Sequence, residues 1–238
     1  CLICLGPADA QEMFDYTIEA FNLAERFRSP VIILSDEVVG HIREKVCIPD
    51  AKDIKLVERK APTCPKDKLV VFKPEANDVP LMPDFNVGYK VPVISQAKSL
   101  NGNRGNAKDA DENIRRIVRK VEDHMEEFAE VKVYGDGKAE TAFVTFGSVC
   151  RAARSAVDLA REKGIALRSV EVKTVWPFPD KWVREALAGA KRIVVAEMNL
   201  GQLQREVERV IRQPEIRIEL FSKIGGIYPQ PEEFLRFL

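Results

Sequence analysis

A regular alternation of short apolar strands and amphipathic helices between residues 141 and 203 constrains the fold of this chain more than any other feature. The strand Thr141-Ala-Phe-Val-Thr-Phe146 leads through Gly147-Ser148 into a helix whose apolar residues recur every three or four positions. Further strands are predicted at residues 167–175, 192–197 and 216–220, with helices at 180–187 and after Gln202. This order is typical of an α/β domain with a parallel, wound sheet.

Charge and hydropathy narrow the class of protein. The chain has 37 Lys and Arg against 37 Asp and Glu, so bulk charge does not indicate a nucleic-acid or membrane surface. It contains no run of about 18 apolar residues and no signal peptide. We therefore expect a cytoplasmic protein without nucleic-acid or membrane partners. Because the first residue is Cys1 and not Met, we also expect a fragment, a processed chain or an incomplete one.

The amino-terminal residues predict a second α/β element. A strand at residues 2–5, a helix from the N-cap Asp9 to Phe27 and a buried strand at 31–34 are followed by Asp36 and Glu37. Ligands bind at the carboxyl ends of strands in open α/β sheets, so Asp36 and Glu37 are candidate ligands. The alternative is that they only cap the next short helix, predicted at 38–46.

Polar loops also follow the strands of the second module. Gly147 and Ser148 follow one strand, and Glu197, Asn199 and Gln202 follow another. Backbone N–H groups at helix starts favour an anion or a carboxylate there. The alternatives are that Ser148 caps its helix and that Glu197 accepts hydrogen bonds from loop N–H groups. The residues alone leave both interpretations open.

Prolines interrupt every long element between residues 49 and 107, where short strands are predicted only at 68–72 and 88–94. The Gly- and Asn-rich residues 101–106 could cradle a phosphate or could be a plain loop. An amphipathic helix at 111–128 has an apolar face that includes Ile114, with its arginines and lysine predicted on a solvated face.

The cysteines do not predict a metal site. Cys1 and Cys4 have a two-residue spacing, but neither a second pair nor a histidine cluster completes a ligand set. Cys150 lies in the first turn of a helix, where a thiolate is favoured, yet no His, Asp or Asn is placed by sequence to act with it. We expect these cysteines to be packing residues.

Several motifs, in order along nearly the whole chain, resemble the alpha subunit of 2-oxoacid:ferredoxin oxidoreductases, especially the 2-oxoglutarate type. They are Glu12-Met-Phe, Ala20-Phe-Asn-Leu-Ala-Glu25, Pro30-Val-Ile-Ile-Leu-Ser-Asp-Glu37 with Gly40-His41 and Arg43-Glu-Lys45, Met82-Pro-Asp-Phe85 with Gly88-Tyr-Lys90, Thr145-Phe-Gly-Ser148, Val175-Trp-Pro-Phe-Pro179 and Glu197-Met-Asn-Leu-Gly-Gln202.

The resemblance implies the following organisation. Residues 1–48 would be the end of a thiamine pyrimidine-binding-type domain, 49–107 a proline-rich linker and 108–238 a transketolase C-terminal-like parallel-sheet domain. Enzymes of this family decarboxylate a 2-oxoacid oxidatively on thiamine diphosphate, form an acyl-CoA from coenzyme A and pass electrons through iron–sulfur clusters to ferredoxin.

The resemblance also implies that the groups doing the chemistry lie elsewhere. The beta subunit would hold the diphosphate and its magnesium ion, other subunits (gamma and delta among them) would hold clusters, and the residues that meet the pyrimidine ring would precede Cys1. No residue here is then catalytic, and the chain alone should be inactive. The alternative is a non-catalytic α/β assembly or ligand-binding protein derived from this family.

Overall fold

The structure is a computed structural model that describes residues 1–75, 77–91 and 105–238. Most of the candidate phosphate loop at 101–106, and part of the strand predicted at 88–94, lie outside the described residues. The described chain forms two compact units. Unit one comprises Cys1–Ile3, Ile18–Ile32 and Pro49–Glu127, and unit two comprises Cys4–Thr17, Ile33–Ile48 and Phe128–Leu238.

The helices and strands follow one another in the order that the sequence predicts for most of the chain. They are β1 (Ile3–Leu5), α1 (Ala10–Phe27), β2 (Val31–Ile33), α2 (Glu37–His41), α3 (Ala107–Glu122), β3 (Val131–Gly135), β4 (Thr141–Thr145), α4 (Val149–Glu162), β5 (Arg168–Val172), β6 (Thr174–Trp176), α5 (Asp180–Ala186), β7 (Arg192–Glu197), α6 (Gln202–Val210), β8 (Arg217–Ser222) and α7 (Pro231–Phe234).

Unit two is built around a sheet of five strands within the described residues, in the order β3-β5-β4-β7-β8. β4 pairs in parallel with β5 and with β7, and β7 pairs in parallel with β8. The predicted α/β class with a parallel sheet is therefore confirmed. The sheet also has an antiparallel edge strand, β3, which pairs with β5 from Val131 to Gly135 and which the sequence did not predict.

Side chains alternate across this sheet, and each face has its own core. Ala142 and Val144 of β4 face the helices α5 and α6, whereas Phe143 between them faces α4. The predicted apolar stripe of α4 is buried: Val149, Ala152, Ala153, Ala156, Val157 and Ala160. Each fully buried valine in such a core is worth about 1.5–3 kcal/mol.

The strand predicted at 167–175 is divided in two by a corner. β5 ends at Val172, and β6 pairs antiparallel with β1 through Cys4–Trp176 and Leu5–Thr174 in a second sheet of order β2-β1-β6. At the corner the N–H groups of Lys173 and Thr174 both donate to the carbonyl of Glu130 at 3.1 Å. The backbone can leave the five-stranded sheet because these N–H groups still have a partner.

Two shorter predictions were wrong. Residues 68–72 form turns instead of a strand, with Lys68 N–H donating to the Pro65 carbonyl and Lys73 N–H to the Val70 carbonyl. The helix predicted at 38–46 is only Glu37–His41. At the end of the chain, α7 is followed by a 3₁₀ turn, Leu235–Phe237.

The prediction for the polar face of α3 was also wrong. Arg116 and Lys120 are 4% and 5% exposed, whereas Ile114 of the predicted apolar face is 45% exposed. The reason is that both cations donate to backbone carbonyls of unit one: Arg116 Nη1 to Asp78 O at 2.8 Å and Lys120 Nζ to Arg28 O at 2.7 Å. Irregular backbone needs such side-chain donors when it is buried.

Candidate functional site

Asp36 joins the loop after β2 to the start of α4 in unit two. Its Oδ1 accepts a 3.0 Å hydrogen bond from Val39 N–H, which caps α2, and its Oδ2 accepts a 2.8 Å bond from Ser148 N–H. Gly147 has φ 62°, and a Cβ built on it would lie 3.0 Å from Asp36 Oδ2. The positive φ therefore favours glycine at 147, and a Cβ there would also press on the Asp36 carboxylate. The capping interpretation of Asp36 accounts for one of its oxygens, and Ser148 accounts for the other.

Ser148 occupies the N-cap position of α4 but does not cap with its side chain. Its Oγ is buried without a hydrogen-bond partner, and its carbonyl accepts a hydrogen bond from the Tyr228 hydroxyl. The side-chain capping that we offered as the alternative role of Ser148 is thus absent. The Asp36 carboxylate stands in its place and supplies a full negative charge at the positive end of the helix.

The loop after β7 is closed by its own side chains. The buried Glu197 accepts hydrogen bonds from Leu203 N–H at 2.9 Å and Gln204 N–H at 3.1 Å, so it caps α6. Asn199 Oδ1 accepts from the N–H groups of Gly201 and Gln202, each at 3.1 Å. Gln202 Oε1 in turn accepts from Leu200 N–H at 3.1 Å. Glu197 therefore does accept loop N–H groups.

These contacts decide what the two loops can hold. A diphosphate needs free N–H donors, and a magnesium ion needs free carboxylate oxygens. The protein's own carboxylates, Asp36 and Glu197, already accept hydrogen bonds from the N–H groups at the starts of α4 and α6. The residues of these loops do not fit the diphosphate or its metal ion. Glu37 is exposed and forms no hydrogen bond or ion pair with the described residues.

A buried ion network in unit two was missed by the sequence reasoning. Lys173 is fully buried, and its Nζ lies 2.8 Å from Glu12 Oε2 and 3.0 Å from Glu171 Oε2. Arg154 binds the same Glu171 with two hydrogen bonds, of 2.5 and 2.6 Å. The sequence signal was available: Glu171 and Lys173 alternate with valines in a strand predicted to belong to the parallel sheet.

The network fixes the charge states of its members. Burial raises the pKa of Glu12, but the charge and hydrogen bond of Lys173, with further hydrogen bonds from Ala8 N–H and Lys132, bring it below the usual value. Burial alone would lower the pKa of Lys173, but the acidic groups around it, Glu171 and Glu12 among them, raise it. Both groups therefore stay charged at neutral pH, and the network connects the amino-terminal part of α1 with β5.

Cys4 and Cys150 have the packing role that we expected. Burial raises the pKa of Cys150 to about 12, although Thr145 Oγ1 donates a 3.3 Å hydrogen bond to its Sγ, so a thiolate is disfavoured. Cys4 is buried in β1. The five cysteines are free thiols, and over residues 1–75, 77–91 and 105–238 no three or more His, Cys, Asp or Glu side chains are grouped to hold a metal ion.

Two protein-family models match the chain. The model described as pyruvate flavodoxin/ferredoxin oxidoreductase, thiamine diphosphate-binding, matches residues 2–123, which is about half of the chain. The model described as pyruvate:ferredoxin oxidoreductase core domain II matches residues 139–234. In the part of the chain that the structure describes, no helix is long and apolar enough to cross a membrane.

Curated relatives match over nearly the whole chain. The chain is 39% identical over 98% of its length to 2-oxoglutarate synthase subunit KorA of Methanothermobacter marburgensis, covering 62% of that protein. It is 40% identical over 99% of its length to the KorA subunit of Methanocaldococcus jannaschii, also covering 62%. Identity to ketoisovalerate oxidoreductase subunit VorB of Methanothermobacter thermautotrophicus is 26% over 93% of this chain and 55% of that one. The chain thus spans less than two thirds of the relatives that it matches.

A solved structure shares the fold. It is the 2-oxoglutarate:ferredoxin oxidoreductase of Magnetococcus marinus, with 2-oxoglutarate, coenzyme A and succinyl-CoA bound. The superposition has a TM-score of 0.81 at 21% identity and covers 99% of this chain and 41% of the other. The resemblance seen in the sequence motifs is confirmed by these matches, and the chain belongs to the pyruvate flavodoxin/ferredoxin oxidoreductase family.

Proposed function

We propose that this chain is part of the alpha subunit of a 2-oxoglutarate:ferredoxin oxidoreductase of the cytoplasm. The assembled enzyme would decarboxylate 2-oxoglutarate oxidatively, form the acyl-CoA from coenzyme A and pass the electrons to ferredoxin. The observation that carries the substrate assignment is a difference in identity. Relatives named as 2-oxoglutarate synthase subunits match at 39% and 40%, whereas a ketoisovalerate relative matches at 26%.

The division into domains follows from the same proposal. Residues 1–48 would complete a pyrimidine-binding-type thiamine domain, 49–107 would be the linker and 108–238 the transketolase C-terminal-like domain. The match of residues 2–123 to a thiamine diphosphate-binding family model supports a thiamine enzyme. When bound, the cofactor supplies the carbanion chemistry of decarboxylation.

Other subunits would hold the cofactors in this proposal. The beta subunit would bind the diphosphate and magnesium, and cluster-bearing subunits, gamma and delta among them, would carry the electrons. The geometry of the two loops supports this division of labour, since Asp36 and Glu197 already bind the helix-start N–H groups that a diphosphate would need. The contribution of this chain would be to shape and support the site, with no catalytic residue among those named here.

We further propose that the carboxyl edge of the five-stranded sheet contributes to the interface with the beta subunit. The candidate residues Asp36, Glu37, Gly147, Ser148, Glu197, Asn199 and Gln202 would build or line it. Leu200, Ile224 and Ile227, in the loops after β7 and β8, are 57–67% exposed. Their exposure supports an interface because large aliphatic side chains gain most by being covered.

The substrate assignment is tested on the assembly purified from its native source. Turnover is measured as coenzyme A-dependent reduction of ferredoxin with 2-oxoglutarate, pyruvate and 2-oxoisovalerate. We expect 2-oxoglutarate to give the highest kcat/KM by at least about tenfold, which corresponds to about 1.4 kcal/mol. A higher kcat/KM with pyruvate or 2-oxoisovalerate would overturn the assignment of 2-oxoglutarate as the substrate. The absence of turnover with all three acids would favour a non-catalytic assembly protein.

The interface is tested with two leucine variants of the reconstituted complex. Leu200→Asp places a charge at the proposed interface, and Leu56→Asp is its control in unit one, since Leu56 is 73% exposed. We expect Leu200→Asp to weaken binding of the beta subunit by about tenfold or more, because an unpaired charge would be buried. Equal effects of the two substitutions on binding of the beta subunit would mean that this edge is not part of the interface.

A further inference from the structure

Unit one contains a cleft that the proposed function does not use. It lies between the last turns of α1 and the segments at residues 57–60 and 77–82, and its volume is about 310 Å³. One part of its lining is cationic, with Arg28, Arg59 and Lys60. Another part is apolar, with Val79, Pro80 and Met82. Such a combination is typical of sites for small organic ligands that carry a charged group.

Arg28 is held rigidly at this cleft. It follows the last residue of α1 with φ 47°, and its Nη1 donates to Val71 O at 2.9 Å and to Leu81 O at 3.0 Å. Its guanidinium carbon lies 5.4 Å from the centre of the Phe72 ring. The Nε and Nη2 donors form no hydrogen bond with the described residues, so the fixed fork retains donors for a ligand.

Carboxylates balance the positive charge behind Arg28 only in part: Asp78 favours the charged form of Arg116 through space but forms no ion pair with it. Neither Arg28 nor the buried Arg116 and Lys120 forms an ion pair within 4.0 Å with any described residue. Asp78, the nearby acid, is engaged by Arg119 at 3.0 Å. Burial lowers the pKa of Arg28, and the positive charges of Arg116 and Arg59 lower it further. A cluster of like charges at low dielectric attracts an anion.

The lining also contains two carboxylates, which do not cancel this charge. Glu25 is already bound by Arg59 through hydrogen bonds of 2.7 and 2.5 Å, and Glu58 is exposed to solvent. Carbonyl binding explains why Arg116, Lys120 and Nη1 of Arg28 are buried. Carbonyl binding does not account for the other donors of Arg28 at the cleft, Nε and Nη2.

We propose that this cleft binds a small organic anion, whose phosphate or carboxylate group contacts the guanidinium of Arg28 and whose apolar part contacts Val79 and Met82. Lys60 lies at the exposed side of the cleft, where its Nζ is 3.3 Å from Glu75, and would add a second cationic contact. Bidentate binding of an anion by arginine provides both energy and orientation.

The experiment titrates the full chain with two probes, pyrophosphate and succinate, by isothermal calorimetry at constant ionic strength. Comparison of the probes distinguishes a phosphate ligand from a carboxylate one. Three variants are titrated alongside: Ala24→Glu, which adds a carboxylate to the lining, Lys60→Gln, and the control Arg115→Gln on the exposed face of α3. Circular dichroism establishes that each variant is folded.

We expect at least one probe to bind saturably. Ala24→Glu should weaken binding by about tenfold or more and Lys60→Gln by about threefold, whereas Arg115→Gln should change nothing. Absence of saturable binding of either probe up to about 10 mM overturns the proposal. Equal affinities of Lys60→Gln and Arg115→Gln also overturn it, because both substitutions remove an exposed cation and only one lies at the cleft.

Discussion

The backbone N–H of Ser148 donates a 2.8 Å hydrogen bond to Oδ2 of Asp36, a residue 112 positions earlier in the chain. The same carboxylate caps α2 through Val39 N–H. At the neighbouring strand, Glu197 binds the N–H groups at the start of α6 in the same manner. The two helix starts at this edge of the sheet are therefore closed by the protein's own carboxylates.

Asp36→Ala should destabilise unit two by about 2–4 kcal/mol. The substitution removes a helix cap, worth about 1 kcal/mol, and leaves the N–H of Ser148 without its acceptor, which costs about 1–3 kcal/mol. Urea unfolding followed by circular dichroism measures the change. Glu37→Ala is the control, because Glu37 is exposed and unpaired in the described chain, and it should shift the free energy of unfolding by less than about 0.5 kcal/mol. Equal losses would show that Asp36 does not join the two loops.

Gly135→Ala should reduce stability much more than Gly137→Ala, although only one residue separates the two glycines. Gly135 has φ 96°, and a Cβ there would lie 2.5 Å from Leu167 O and 2.6 Å from Val157 Cγ1. We expect a loss of about 2 kcal/mol or more in thermal or urea unfolding, from backbone strain and overpacking. Gly137 has open space around it, so alanine there should be neutral within about 0.5 kcal/mol. A neutral Gly135→Ala would contradict the close packing of β3 on α4.

Lys173→Met should cost about 3 kcal/mol or more in the free energy of unfolding. It leaves two buried carboxylates, Glu12 and Glu171, without the cation between them. Lys191→Met is the matched control, because Lys191 forms an exposed ion pair with Glu140, which is worth at most about 1 kcal/mol. A loss below about 1 kcal/mol for Lys173→Met would mean that the buried network does not support unit two.

Lys120 should make the stability of unit one rise with pH. Burial, with the positive charges of Arg116 and Arg28, lowers the pKa of Lys120 from 10.5 to about 7. Between these two values the unfolded chain binds more protons than the folded chain, so the free energy of unfolding increases with pH. The urea concentration at the midpoint of unfolding is measured from pH 6.5 to 10. It should rise less with pH in Lys120→Met than in Lys108→Met, which is the control at an exposed site. If the unfolding midpoints of the two variants changed with pH in the same way, the lowered pKa of Lys120 would be contradicted.

The spacing of apolar residues predicted those strands and helices in which the apolar positions are also the buried ones. β4 and β7 are continuous apolar segments, and α4 has one apolar stripe, so each residue pattern agrees with its burial. β3 was missed because Lys132 and Val133 are exposed on an edge strand, which lacks the apolar run of a central strand. Residues 68–72 have β-forming side chains but turn back on themselves.

The polar contacts were harder to predict because they join distant residues. Asp36 and Glu197 could be identified as residues at strand ends, but not the N–H groups that they bind. Glu12 and Lys173 are 161 residues apart, and only the fold brings them together. On α3, the helical period predicted that Arg116 and Lys120 are exposed to solvent. Both are buried, because they donate hydrogen bonds to the carbonyls of Asp78 and Arg28. Their burial depends on irregular backbone that periodicity does not describe.

The most direct test of the proposed function is purification of the native, full-length gene product from its own cells, followed by assay of bound thiamine diphosphate. We expect a beta-type subunit to copurify with it and the assembly to contain bound thiamine diphosphate. Recovery of the gene product alone and free of thiamine diphosphate would contradict the assignment as an oxidoreductase alpha subunit.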